Sequence, residues 1–173
     1  MRNQPAYAQA YGAAVLAAGL FSFFSHASLT RLGEWFDLMG VYAIAGFLLA
    51  YNLVRLAGLA GRGFAGLYAA LLGALGVQMA LAPQLQQIAV GLLIGAAVVL
   101  EAGVRLRRKP QAQDRWLAAA AACFILGGAF WLLNGRAPDC NPASGLPWHT
   151  GWHLLSAAAA GLLFRYYISE DLG

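Results

Sequence analysis

The sequence predicts an all-α membrane protein, a single integral domain built as a bundle of six transmembrane helices, and three observations carry that prediction. The 173 residues are 61% hydrophobic and only 10% charged, with a mean hydropathy of +0.62, against roughly 25% charged residues in an ordinary globular domain. The apolar residues gather into six stretches near the 20 or so residues that cross a bilayer. The six prolines all fall outside these stretches, as uninterrupted helices require. No repeat or low-complexity linker stands out, so no soluble domain is expected.

The expected spans are 8–26, 37–56, 65–81, 86–104, 116–133 and 148–168. Small residues in the first (Gly12, Ala13, Ala14, Ala17, Ala18, Gly19) would let a neighbouring helix approach closely. Arg2, an apolar run and Ser25-His26-Ala27 have the outline of a secretory signal, but the segment is read as a retained span. A short loop with Arg31, Glu34 and Trp35 precedes the second span, and Arg62 lies in the connection after it. Pro83 marks a tight turn between the third and fourth. The fourth runs into Arg105, Arg107, Arg108, Lys109 and Pro110. Glu101, just before that cluster, is expected to pair with Arg105, one turn on. The loop 134–147, with Pro138, Asp139, Asn141 and Pro142, has the character of an ordered crossing. Cys123 in the fifth span and Cys140 in that loop make no disulfide framework. Trp35, Trp148 and Trp152 suit an interfacial belt.

Six spans place the N-terminus, the second and fourth loops and the C-terminus on one side. That side holds nine basic residues (Arg2, Arg55, Arg62, Arg105, Arg107, Arg108, Lys109, Arg115, Arg165) against two (Arg31, Arg136) opposite. By the positive-inside rule both termini are cytoplasmic. The net charge of +4 is thus a topology signal, and nucleic acid is not an expected partner. His26, Asp37, His149 and His153 then all lie at span ends on the non-cytoplasmic side.

That coincidence of depth defines the candidate site. His149 and His153, four apart, share one face of a helix, which is metal-ligand spacing. With His26, the remaining histidine of the three in the chain, they could supply the three-imidazole set of a catalytic zinc that keeps one position open for water. Such a zinc lowers the pKa of water from 15.7 to about 7. Asp37 could relay the proton to a leaving group, although a carboxylate at a span start also suits a helix N-cap. Ser22, about 6 Å deeper than His26 by helix rise, could steady a developing oxyanion or bond back to its own helix. A metal just under the membrane surface would meet the polar linkage of a lipid.

Ser22-Phe23-Phe24-Ser25-His26, then Asp37, then His149-Thr150-Gly151-Trp152-His153 at the start of the last helix resembles the signature of the alkaline ceramidases. That family belongs to a wider superfamily including the adiponectin-receptor-type proteins. The resemblance implies a zinc-dependent intramembrane amidase with His26, His149 and His153 as metal ligands, Asp37 as proton shuttle and Ser22 supporting the water or oxyanion. The substrate it implies is ceramide or a related acyl-amide lipid. The family's first helix and its acidic calcium-binding segment find no match here, so calcium regulation is not expected. Short loops and small size suit a bacterial inner-membrane protein with its metal near the periplasmic face. Two other readings stand beside this one: a metal-containing lipid-binding or receptor-like protein that does not catalyse, and a haem-binding electron carrier with His26 and a last-helix histidine as axial ligands.

Overall fold

The computed structural model describes residues 5–58, 61–108, 112–134 and 148–170, and its regular structure is entirely helical. The helices are α1 (Pro5–Ser28), α2 (Arg31–Ala57), α3 (Gly61–Leu81), α4 (Gln86–Arg108), α5 (Asp114–Asn134) and α6 (Trp148–Ser169), with a 3-10 turn, Pro83–Leu85, leading into α4. Pro5 opens α1 and Pro83 opens the 3-10 turn, positions where a missing N–H costs nothing. Residues 135–147 of the expected crossing, with Cys140, and Lys109 with Pro110, lie outside the described residues; Cys123 is a free thiol.

Five helices are long and apolar enough to cross a membrane: α1, α2, α3, α4 with its 3-10 turn, and α5. The expected sixth span forms a helix of 22 residues but is not among them, because His149, His153, Ser156 and Arg165 dilute its apolar residues. The second span also differs from expectation. It starts at Arg31, not Asp37, so Arg31, Glu34 and Trp35 belong to its opening turns. At 27 residues α2 is about 40 Å long, longer than the roughly 30 Å hydrocarbon core, and hydropathy marks only the part that matches lipid. The polar start is held by Thr30, whose Oγ1 accepts the Gly33 N–H at 3.1 Å. Thr30 is therefore the N-cap, and Asp37 is an interior helix residue. In the same way α3 begins at Gly61 and takes in Arg62.

The chain divides into two compact units, one holding α1 from Gln9 onward with α2, α3 and α4, the other holding α5 and α6. In the first unit α2 is the hub. Its Tyr42 and Ala45 form a core with Leu75 and Met79 of α3 and Leu93 of α4. Tyr42 donates its hydroxyl to Gln78 Oε1 at 2.9 Å, and Gln78 Nε2 donates to the Ala82 carbonyl at 2.7 Å. The polar tips of the core thus satisfy the end of α3. Near the other end of α2, Arg55 and Glu101 form a buried ion pair. Arg55 also donates to Asn52 Oδ1 at 2.8 Å, and Asn52 donates to the Ala97 carbonyl at 3.0 Å. Glu101 thus meets a partner on α2, which the sequence did not suggest. α2 ends at Gly58 with φ 70° and its N–H on the Val54 carbonyl at 2.8 Å, a left-handed cap that glycine takes without strain.

In the second unit α5 and α6 pair along two glycines. A Cβ on Gly151 would stand 2.2 Å from the Phe130 ring, and one on Gly127 would stand 3.2 Å from both Trp152 and Leu155. Trp152 also meets Phe124, and Trp148 meets Phe130. The expected interfacial tryptophans of α6 therefore pack against α5 as well. Trp35 likewise packs on the core of the first unit.

Candidate metal centre

His149 and His153 are brought together as their spacing predicts. Their Nε2 atoms lie 2.9 Å apart, with ring centroids 4.6 Å apart and planes at 80°. Both side chains are half-buried. Helix periodicity explains their direction: α5 covers the side of α6 carrying Gly151 and Leu155, and the histidines point roughly 160° round from it. Two imidazole nitrogens this close on one face of α6 are within hydrogen-bond distance and could instead ligate one divalent cation together. At zinc–nitrogen distances of about 2.0–2.1 Å, a 2.9 Å separation subtends about 90°, and about 0.4 Å of opening reaches the tetrahedral angle. The pair is therefore compatible with a divalent cation of that size.

In the first unit the α1–α2 hairpin positions the other three candidates. Leu29, at φ 52°, closes α1 with its N–H on the Ser25 carbonyl at 2.9 Å, and Thr30 then caps α2. Two glycines seven residues apart bring the backbones together. A Cβ on Gly33 would stand 2.8 Å from Ser25 Cα, and one on Gly40 would stand 2.7 Å from Ala18 Cα. With the Tyr11–Phe47 ring contact at 5.2 Å, these approaches fix one antiparallel register. That register sets Ser22 and Asp37 at the same level. At 100° per residue, each side chain leaves its helix about 40–60° from the contact line, and antiparallel helices turn both to the same side. His26 follows on that side, one turn nearer the end of α1. Ser22 and Asp37 are half-buried and His26 is exposed.

The structure thus assembles the five residues as two sets, Ser22, His26 and Asp37 in the unit of α1–α4, and His149 with His153 in the unit of α5 and α6. Ser156 was not singled out from the sequence. Its Oγ is buried with no hydrogen-bond partner among the described residues. The signal was present in its spacing, seven residues after His149 and three after His153, which puts it on the histidine face. Arg55, Glu101 and Asn52 are the other polar cluster that the sequence reading did not anticipate.

Fold and site define a helical protein with at least five helices of membrane-crossing character and a histidine pair of metal-ligating geometry. No family model, curated protein or solved structure matches the chain.

Proposed function

We propose that this protein is a zinc-dependent intramembrane lipid hydrolase that cleaves the amide bond of ceramide or a related acyl-amide lipid. The observation that carries the reading is the His149–His153 pair, with Nε2 atoms 2.9 Å apart on one face of α6. His26 completes the ligand set, on the ground that an α1 end and an α6 start lie on the same membrane side when all six helices cross. Both termini are then cytoplasmic, and the site opens near the periplasmic face of a bacterial inner membrane. A pair this close favours a small cation over haem, since an iron taking one imidazole would leave the other crowded against the porphyrin.

Zinc, when bound, supplies Lewis acidity and a water whose pKa falls from 15.7 to about 7. The chain's own residues do the rest. Asp37 takes the proton as the water oxygen bonds to the acyl carbon. The Ser22 hydroxyl, level with Asp37 on the same side of the α1–α2 hairpin, donates to the carbonyl oxygen as it gains negative charge. When the carbon–nitrogen bond breaks, Asp37 returns the proton to the leaving nitrogen, giving a fatty acid and an amine. The resemblance to alkaline ceramidases supports the same assignment of Ser22, His26, Asp37, His149 and His153.

The test is metal analysis and a hydrolysis assay on purified protein in detergent, with ceramides, acyl amides and lysolipids, each with and without chelator. His149→Ala should lose zinc and turnover together. Asp37→Asn should keep zinc and lose at least a hundredfold in turnover. A metal-free wild type, or full activity in Asp37→Asn, overturns the reading. Lipid that is bound but never cleaved by the zinc-loaded wild type points instead to the lipid-binding or receptor class.

A further inference from the structure

We infer that Ser156 is a substrate-binding residue of the same site, donating its hydroxyl to the acyl carbonyl of the lipid from the membrane side of the histidine pair. Its chemistry rests on the hydrolase reading above, and its geometry on the position of Ser156 along α6 together with the burial of its Oγ. Ser156 lies within about 20° of His149 and about 60° of His153 around the helix, and about 4.5 Å further along the axis than His153. The three side chains therefore form one polar strip on the face of α6 that α5 leaves uncovered.

A serine within an apolar helix ordinarily bonds back to the carbonyl four residues earlier, here that of Trp152. Ser156 does not: its Oγ is buried without a hydrogen-bond partner among the described residues. An unsatisfied buried hydroxyl is destabilising, and a ligand acceptor at that position would relieve the cost. The required acceptor follows from the placement. A metal held at the start of α6 draws the scissile linkage to the level of the histidines, and acyl chains continue toward the membrane interior. The group passing between them is the carbonyl, a lone-pair acceptor that matches a hydroxyl donor. A free amine or a charged headgroup would lie on the other side of the pair. The class selected is an N-acyl or O-acyl lipid with its carbonyl turned inward.

The experiment compares wild type with Ser156→Ala and Ser156→Thr, the latter keeping the hydroxyl. It measures zinc content, KM and kcat on a short-chain ceramide, and equilibrium binding to the zinc-loaded protein of a non-cleavable short-chain ceramide analogue that keeps a carbonyl. Ser156→Ala should keep stoichiometric zinc, bind the analogue about tenfold more weakly and lose about tenfold or more in kcat/KM, while Ser156→Thr stays within about threefold of wild type. Unchanged binding and kinetics in Ser156→Ala, or loss of zinc along with activity, overturns the inference. A wild type that never hydrolyses the lipid overturns the hydrolase reading separately. The binding comparison then decides Ser156 by itself: equal affinity of wild type and Ser156→Ala rejects the role, and a tenfold difference rescued by threonine retains it.

Discussion

Arg55 and Glu101 show what a single side chain can be worth in this protein. The Arg55 side chain is 1% exposed and that of Glu101 10%, so neither charge can be hydrated well if the other is removed. Breaking a buried pair by deleting one partner typically costs about 3–5 kcal/mol, while replacing both by apolar groups of similar volume is often neutral. Glu101→Ala should therefore lower the thermal midpoint in detergent by well over what Arg55→Met with Glu101→Leu costs together. Equal loss in the single and double variants would show that packing volume, not the orphaned charge, dominates. The pair also marks where a sequence reading stops. Glu101 and Arg105 are local neighbours on one helix, a spacing that can be read directly, but Arg55 lies forty-six residues from Glu101 and meets it only once α2 packs on α4. His149 and His153 were legible because their encounter needs nothing beyond one turn of helix. Ser156 stood at an equally readable spacing, but an unremarkable residue type gave no reason to look until its hydroxyl proved buried with no partner among the described residues.

At the scale of the helix, the α1–α2 hairpin is set by close backbone approach rather than by large side chains. A Cβ on Gly40 would meet Ala18 Cα at 2.7 Å and Ala18 Cβ at 3.1 Å, with no flexible side-chain end to move aside, whereas nothing lies within 4 Å of one on Gly19. Gly40→Leu should then push α1 and α2 apart at a cost of about 1–3 kcal/mol, and Gly19→Ala should be neutral or mildly stabilising. Ser22 and Asp37 depend on that same register, so Gly40→Leu should reduce turnover more than it reduces zinc content. Thermal unfolding, zinc stoichiometry and turnover on the two variants check this, and an unaltered Gly40→Leu would show that the register tolerates separation. The run of small residues in α1 announced a close neighbour. Which helix it was, and through which glycines, required the fold. The start of α2 was hidden for a different reason: hydropathy reports the lipid-matched part of a helix, and a threonine cap with two charged residues in the first turn carries helix well beyond it.

For the whole molecule the open step is whether α6 crosses the membrane. Its 22 residues are long enough for a hydrocarbon core of about 30 Å, and its least apolar residues are not scattered. His149, His153 and Ser156 form one strip near its start, and Arg165 sits near its end, where a long cationic side chain reaches the interface. Polar residues confined to one face are tolerated in a span when that face is turned from lipid. The orientation of the first five helices does not depend on α6, because moving Arg165 across still leaves eight basic residues against three. Alkaline phosphatase, active only outside the cytoplasm, gives a direct reading. Fused after residue 113, between α4 and α5, it should be inactive. Fused after residue 134, beyond α5, it should be active. Fused after residue 170, it should be inactive if α6 crosses and active if α6 lies at the surface. An active last fusion would leave α6 on the periplasmic side with its polar strip at the interface, able to hold a metal in water but not a carbonyl inside the bilayer. The lipid-hydrolase assignment and the role of Ser156 would then both lose the membrane depth on which they rely.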